Sequence, residues 1–190
     1  MFFKIDMSER VFDVLISVLV LITFSWLIIL LWLISLIYFK KNGFFFQPRV
    51  GANKEVFLII KIRSLQDEND SKLTKFNAFI RKYKLDELPQ FFNVLLGQMT
   101  LVGPRPELES YFTKNRYPTS LLKLKPGITG LASVYFINEA IMKNRCANLG
   151  SFERWMFLRK NKLNMIYLKN KGFCFDLKII YITIQRVLFN

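Results

Sequence analysis

The chain has 190 residues, 52% of them hydrophobic and 20 of them Phe, with a formal net charge of +14 and no histidine. That length accommodates one domain with a small appendage and a real core. The missing histidine excludes Ser-His-Asp and Cys-His catalysis and the common zinc motifs, so acid–base or nucleophilic work falls on Asp, Glu, Lys, Tyr, Ser, Thr or Cys. Residues 1–40 balance three basic against three acidic side chains, so the whole +14 belongs to the remainder. A basic body beside an apolar segment suits an anionic membrane surface, phosphorylated substrates or nucleic acid. Two cysteines, Cys146 and Cys174, make no disulfide framework and fit a reduced, cytoplasmic body.

Val14–Phe39 carries no charge over 26 residues. As a helix it reaches about 39 Å, against about 30 Å of bilayer hydrocarbon, and its apolar residues cover every face. Ser25-Trp26 lies near its middle, where a Ser can bond back to the backbone and bend a helix. Positive residues flank both ends, Lys4 and Arg10 before and Lys40, Lys41 and Arg49 after, so a span and a hairpin that enters and leaves on one face both remain open.

Lys40–Gly51 contains Gly43, Pro48 and Gly51 and reads as a loop, with Phe44, Phe45 and Phe46 at a membrane interface or in a core. Glu55–Leu65 is β-branched and reads as a strand that places Lys61 and Arg63 on one face. Gln66–Lys72 reads as a polar loop, and Leu73, Phe76, Phe79, Ile80 and Tyr83 follow helical spacing among solvated lysines.

Asp86 fits a helix N-cap with Glu87 in the first turn, Leu88, Phe91, Phe92 and Leu95 as the apolar stripe, and Gly97 as the stop. That bland role competes with a chemical one. A helix N-terminus flanked by Arg81, Lys82 and Lys84 is a phosphate site, and a carboxylate held there stays ionised as a nucleophile toward phosphorus. Downstream, Pro104 and Pro106 restrict the backbone around Arg105, whose fork can bind phosphate; the alternative is a tight turn after a strand. Lys125–Gly130 reads as a turn before a short strand, Leu131–Phe136, and a basic helical stretch follows. A terminal amphipathic helix starts near Asp176, with Leu177, Ile180, Tyr181, Ile184 and Leu188 on one face for the domain or for a membrane.

Taken in order, the apolar N-terminal segment, Gln47-x-Arg49-x-Gly51, KIRSL, Arg81 five residues before Asp86-Glu87, LDELPQFFNVLLG, VGPRPE, KPGITG, IYLKN and DLKII resemble the small monotopic bacterial sugar transferases, the polyprenyl-phosphate phosphoglycosyl transferases. The combination of LDELPQ, NVLLG and VGPRPE is specific to that pattern. The resemblance implies a mixed, helix-rich α/β body on the cytoplasmic face of the bacterial inner membrane, with one N-terminal re-entrant helix, or a spanning one. Residues 1–40 would form the anchor and 41–190 the transferase domain.

It also implies transfer of a phosphosugar from a nucleotide diphosphate sugar, usually a UDP-sugar, to undecaprenyl phosphate with release of UMP. Asp86 corresponds to the nucleophile and Glu87 to its dyad partner. Mg²⁺ is the implied cofactor, with Asp86 its candidate ligand. Arg81 and Arg105 match phosphate-binding arginines, and Lys61, Arg63 and Arg49 complete the candidate cations. Pro104, Pro106 and Ser25 are the structural positions. The expected partners are the sugar donor, undecaprenyl phosphate and membrane lipid. Nucleic acid is not among them, because the basic residues answer to phosphate substrates and headgroups and no nucleic-acid-binding motif is present.

The chain departs from the pattern at four places. The family's Ser-Pro break reads Ser25-Trp26, Gly-Asp-Met-Ser reads Gly97-Gln98-Met99-Thr100, Trp-Ala-Gln-Val-Asn-Gly-Arg gives way to Leu131–Glu139, and an Asp before IYLKN is Asn164. A catalytically silent relative that serves as a membrane-bound binding or scaffold subunit is the alternative these departures motivate.

Overall fold

A computed structural model of the chain describes residues 7–65, 75–109, 112, 117–137, 139, 142 and 148–189. A long helix, α1 (Met7–Phe39), leads into a hairpin of β1 (Phe44–Val50) and β2 (Val56–Ile62), then the short helices α2 (Lys75–Lys82) and α3 (Gln90–Leu95). A second strand pair, β3 (Thr100–Val102) and β4 (Gly127–Thr129), precedes α4 (Leu131–Tyr135), α5 (Leu149–Asn170) and α6 (Phe173–Phe189). This is the helix-rich α/β composition the sequence implies. The chain forms two units, Met1–Arg49 with Val56–Thr100 and Val50–Glu55 with Leu101–Asn190. The boundary expected near residue 40 falls inside the first unit, because α1 packs into it.

In the first unit, α1 buries Asp13, Ser17, Leu21, Ile28, Leu31, Ser35 and Phe39. Their spacing by three, four or seven residues puts them on one face. The middle of that face is apolar: Leu21, Ile28 and Leu31 form a core with Ile62 and Ile80, against which Leu27, Trp32, Phe44, Leu85, Leu88 and Leu95 pack. The ends are polar and specific. Arg10 donates to the carbonyls of Val94 (2.6 Å) and Leu95 (2.8 Å), at the C-terminal end of α3 where a helix leaves acceptors unfilled. Asp13 accepts from Thr100 at 2.7 Å, and Ser35 donates to the Arg63 carbonyl at 2.6 Å. Both ends of α1 are thereby tied to the first unit.

The outward faces of α1 carry exposed Leu15, Leu19, Ile22, Trp26, Ile29 and Ile37. The helix is long and apolar enough to cross a membrane. It is continuous through Ser25-Trp26: Ser25 donates to the Ile22 carbonyl at 2.9 Å without interrupting the helix. With no proline at that point, no backbone hydrogen bond is forced open.

Lys40–Gly51 is not a loop. Phe44–Val50 is a strand paired with β2. Pro48 is tolerated because a two-stranded sheet leaves each strand one unpaired edge, where a missing N–H costs nothing. Phe44 joins the core, Phe45 lies under the Arg63 guanidinium at 5.4 Å, and Phe46 is exposed. The open edge of β2 is closed by a side chain. Asn93, fully buried on α3, accepts from the Ile60 N–H (3.1 Å) and donates to the Leu58 carbonyl (2.8 Å) and to Gln98 (2.7 Å). Gln98, which stands where the family pattern has Asp, therefore belongs to this scaffold. The polar loop expected over Gln66–Lys72, and Leu73, lie outside the described residues.

In the second unit, Gly103 donates to the Thr129 carbonyl and Gly127 to the Pro104 carbonyl, both at 2.8 Å. A Cβ on Gly127 or Gly130 would stand 2.1 Å from the Gly103 backbone, so this approach requires glycine. The approach makes Gly127–Thr129 a strand where the sequence reads as a turn. The strand expected at Leu131–Phe136 is instead α4, whose Val134 carbonyl accepts from Arg186 of α6 at 2.7 Å. Tyr167 of α5 is buried and donates to the Val102 carbonyl at 3.0 Å, which fixes the strand leading into the Pro104-Arg105-Pro106 turn. Helix α6 buries Ile179 and leaves Leu177, Tyr181, Ile184 and Leu188 exposed.

Candidate active site

The acidic pair sits on a short connection between α2 and α3. Lys84 adopts a left-handed conformation (φ 57°) and starts a 3₁₀ turn over Leu85–Glu87. Leu85 and Leu88 pack on the core with α1, and Pro89 precedes Gln90, the first residue of α3. Asp86 is therefore not a helix N-cap, and neither cap position here carries a side-chain capping bond. Helix α3 has six residues, too few to supply the phosphate-binding N-terminus the sequence implies. Phe92 is 44% exposed and drops out of the expected apolar stripe, whereas Gly97 (φ 79°) does end the segment.

Both carboxylates are buried, Asp86 to 8% exposure and Glu87 to 7%. Lys61 of β2 lies with its Nζ 3.4 Å from Glu87 Oε1. Asp86 Oδ1 is buried with no hydrogen-bond donor. Burial pushes the Asp86 pKa up to about 6, the Glu87 charge pushes the same way, and Lys61, Lys84 and Arg81 pull it down. A carboxyl group expected to stay fully ionised thus binds its proton much more tightly than usual. At pH 7 it is still about nine-tenths carboxylate.

Of the residues singled out in the sequence, Asp86, Glu87, Lys61 and Arg81 come together in the first unit. Lys84, read there among solvated lysines, also acts on Asp86, and only its left-handed backbone turns the chain so. Arg63 is held elsewhere, its Nε donating to the Asn42 carbonyl at 2.9 Å and its plane over Phe45. Arg49, on β1, donates to Gln47. Ser25 lies on α1, bonded to Ile22. Pro104, Arg105 and Pro106 belong to the second unit, where Arg105 lines a shallow open cleft with Gly51, Pro104, Phe112 and Tyr117. Burial, then the Glu107 charge, raises the Tyr117 phenol.

No group of three or more His, Cys, Asp or Glu able to hold a metal occurs among the described residues. Mg²⁺ needs less from a protein, since it is commonly bound through one or two carboxylates with water and substrate phosphates completing the octahedron. The donor-free Oδ1 of Asp86 fits that role, while Lys61 faces Glu87.

Residues 5–190 match the family model for the bacterial sugar transferases. The chain belongs to that family. It is similar to the sugar transferase EpsL of Bacillus subtilis, 35% identical over 95% of this chain and 87% of the relative. It is also similar to the UDP-glucose:undecaprenyl-phosphate glucose-1-phosphate transferase of Klebsiella pneumoniae, at 32% identity over 96% of this chain and 40% of that protein. The undecaprenyl-phosphate glucose phosphotransferase of Komagataeibacter xylinus is 30% identical over 97% of this chain and 37% of its own length. The chain thus spans about two fifths of those two transferases.

The Asp86 proton affinity has a measurable sign. The ordinary value is 3.8 and the folded value about 6. The favourable contribution of the folded protonated group is fully present below pH 3.8 and is lost as pH rises through about 6. Asp86→Asn carries no such loss. In metal-free protein with EDTA, the thermal-stability advantage of Asp86→Asn over wild type should widen from pH 4 to pH 7, to a ceiling of roughly 3 kcal/mol. A difference that stays constant with pH would contradict the buried, donor-free environment.

Proposed function

We propose that this chain transfers a phosphosugar from a nucleotide diphosphate sugar, a UDP-sugar, to undecaprenyl phosphate and releases UMP. The observation that carries the reading is the buried Asp86-Glu87 pair, with Lys61 on Glu87 and Asp86 Oδ1 without a donor, in a chain whose relatives in Klebsiella and Komagataeibacter are named for sugar phosphate transfer to undecaprenyl phosphate.

The chemistry proceeds in two displacements at one phosphorus. An Asp86 carboxylate oxygen attacks the sugar-bearing phosphorus of the donor. The P–O bond to the bridging oxygen breaks, and UMP departs with that electron pair. The mixed anhydride on Asp86 is then attacked by an oxygen of undecaprenyl phosphate, and the carboxylate leaves with its electrons. No proton has to be moved, which suits a chain without histidine. The elevated proton affinity of Asp86 marks a more basic, more nucleophilic carboxylate than a solvated one, still ionised near neutrality. Glu87, tied to Lys61, keeps that lysine beside the reacting carboxylate. Lys61, Lys84 and Arg81 offset the repulsion between carboxylate and phosphate. Mg²⁺, when bound, supplies charge neutralisation at the phosphate oxygens. Arg105 is the candidate ligand for phosphate in the second unit.

The unbroken α1 has no turn by which to re-enter, and it is read as lying along the cytoplasmic face of the inner membrane with its exposed apolar side chains in lipid. Arg10 and Ser35, both tied to the first unit, are separated by about 38 Å along the helix, more than the roughly 30 Å hydrocarbon core. A perpendicular span would carry polar groups of the first unit, Thr100 and the α3 C-terminus among them, into or across lipid. In a background with Cys146→Ser and Cys174→Ser, engineered Ser8→Cys should react with an impermeant thiol reagent only from the cytoplasmic side of inverted vesicles. Reaction only from the periplasmic side would overturn that topology.

The activity is tested by UMP release from a panel of UDP-sugars with undecaprenyl phosphate and Mg²⁺. Wild type should release UMP with at least one donor, and Asp86→Asn should reduce the rate by about 10⁴-fold or more. No release from any donor by folded protein would sink the transferase reading and favour a silent binding subunit.

A further inference from the structure

One side chain of the first unit bonds at three points, none of them on the acidic pair. Asn93 is fully buried on α3. Its Oδ1 accepts from the Ile60 N–H at 3.1 Å, while its Nδ2 donates to the Leu58 carbonyl at 2.8 Å and to Gln98 Oε1 at 2.7 Å. The backbone of β2 fixes the sense of this grip, since an N–H only donates and a carbonyl only accepts. Gln98, where the family pattern has Asp, takes the second amide hydrogen without adding a charge.

What the grip holds is the strand that carries Lys61. In an extended strand, residues two apart present their N–H and C=O groups to the same edge. Leu58 and Ile60 turn theirs to Asn93, and Arg63, of the opposite parity, donates its N–H to the Gly43 carbonyl. Lys61 follows Ile60 directly, and its Nζ stands 3.4 Å from Glu87 Oε1. The segment 85–95 and β2 are therefore linked twice, through Glu87 to Lys61 and through Asn93 to the backbone at 58 and 60. Sliding β2 by two residues, the smallest step that keeps the same edge toward Asn93, would move Lys61 by about 7 Å, twice its separation from Glu87. A lysine side chain has many rotamers and sets no strand register by itself; the directional amide does.

We propose that Asn93 is a positioning residue for the transfer: by gripping Leu58 and Ile60 it sets Lys61 against Glu87, and it acts on turnover through that lysine alone. This rests on the proposed transfer through Asp86, in which Lys61 offsets the repulsion between carboxylate and phosphate. Asn93 touches no reacting atom in that scheme. A lysine displaced by a loosened strand loses its hold where charge develops, while other contacts to the donor stay in place. The loss therefore falls on turnover more than on donor binding.

The test is a double-variant cycle between Asn93→Ser, too short to reach β2, and Lys61→Met, on the full chain in detergent micelles, with thermal unfolding measured beside each rate. Asn93→Ser should lower UMP release at saturating donor about 20-fold with KM changed less than about threefold, and Lys61→Met should lower it about 100-fold. The double variant should be no more than about twofold slower than Lys61→Met, because nothing is left for Asn93 to position. A brace with no bearing on Lys61 would instead multiply the two losses to about 2,000-fold. Multiplied losses, or full turnover in Asn93→Ser, would overturn the assignment while leaving Asp86 chemistry intact. Should Asn93→Ser not fold, Gln98→Met, which leaves one Asn93 donor without its acceptor, takes its place in the cycle with a loss of about threefold, again absent once Lys61 is removed. Should wild type release no UMP, the transferase reading falls; then, or if Lys61→Met alone releases none, the unfolding data decide the positioning. Lys61→Met should lower Tm by at least about 2 °C less in the Asn93 or Gln98 variant than in wild type, and equal shifts would overturn it.

Discussion

Two adjacent carboxylates are buried beside Lys61, and the organisation of the first unit follows from holding them there. Burying a carboxylate is expensive unless it is paired. Lys61 lies closer to Glu87 than to any role at Asp86 Oδ1, which is left without a donor. The division separates two functions. Glu87 fixes a cation beside the pair, and Asp86 keeps a buried, unpartnered Oδ1 and an elevated proton affinity. A direct Lys–Asp86 bridge would have lowered that affinity and occupied Asp86 Oδ1.

Such a site has to be braced by groups outside it. The segment carrying Asp86 is only a 3₁₀ turn and a six-residue helix, too short to hold itself. Asn93 welds that helix to the edge of β2, the strand that also presents Lys61. Arg10 fills acceptors at the helix's other end, and Leu85, Leu88 and Leu95 pack into the core that α1 shares. Helix α1 is therefore a structural member of the first unit. In the second unit the Pro104–Pro106 turn is set by the close backbone approach at Gly127 and Gly130 and by Tyr167 on Val102. A rigid scaffold below a loop is the usual means of holding a charged side chain such as Arg105 in one place.

The sequence made some of this legible and hid the rest for physical reasons. The apolar run of α1, the β-branched strand β2 and the terminal helix are long periodic patterns, and each was visible. The family pattern singles out Lys61, Arg81, Asp86 and Glu87, and the fold brings the four together. The errors are local. Asp-Glu before a leucine stripe looks like a cap, but Lys84 in a left-handed conformation turns the pair inward, and no propensity foresees that for lysine. Gly43, Pro48 and Gly51 looked like a loop because pairing with a strand across a hairpin is a tertiary fact. Leu131–Phe136 looked like a strand until Arg186, over fifty residues away, was seen to hold the carbonyl of Val134. Asn93 lies inside a motif whose acidic pair draws the eye, and only its hydrogen bonds to Ile60, Leu58 and Gln98 mark it as a brace.

The central claim is that Asp86 becomes covalently bonded to the phosphosugar. The most direct test is intact-mass spectrometry of the full chain after incubation with a turned-over UDP-sugar and Mg²⁺ but no lipid acceptor. The account predicts a mass increase equal to one phosphosugar on wild type, mapped by peptide fragmentation to Asp86, discharged by undecaprenyl phosphate and absent from Asp86→Asn. Product formed from a chain that never carries the adduct, or an adduct that persists in Asp86→Asn, would contradict it.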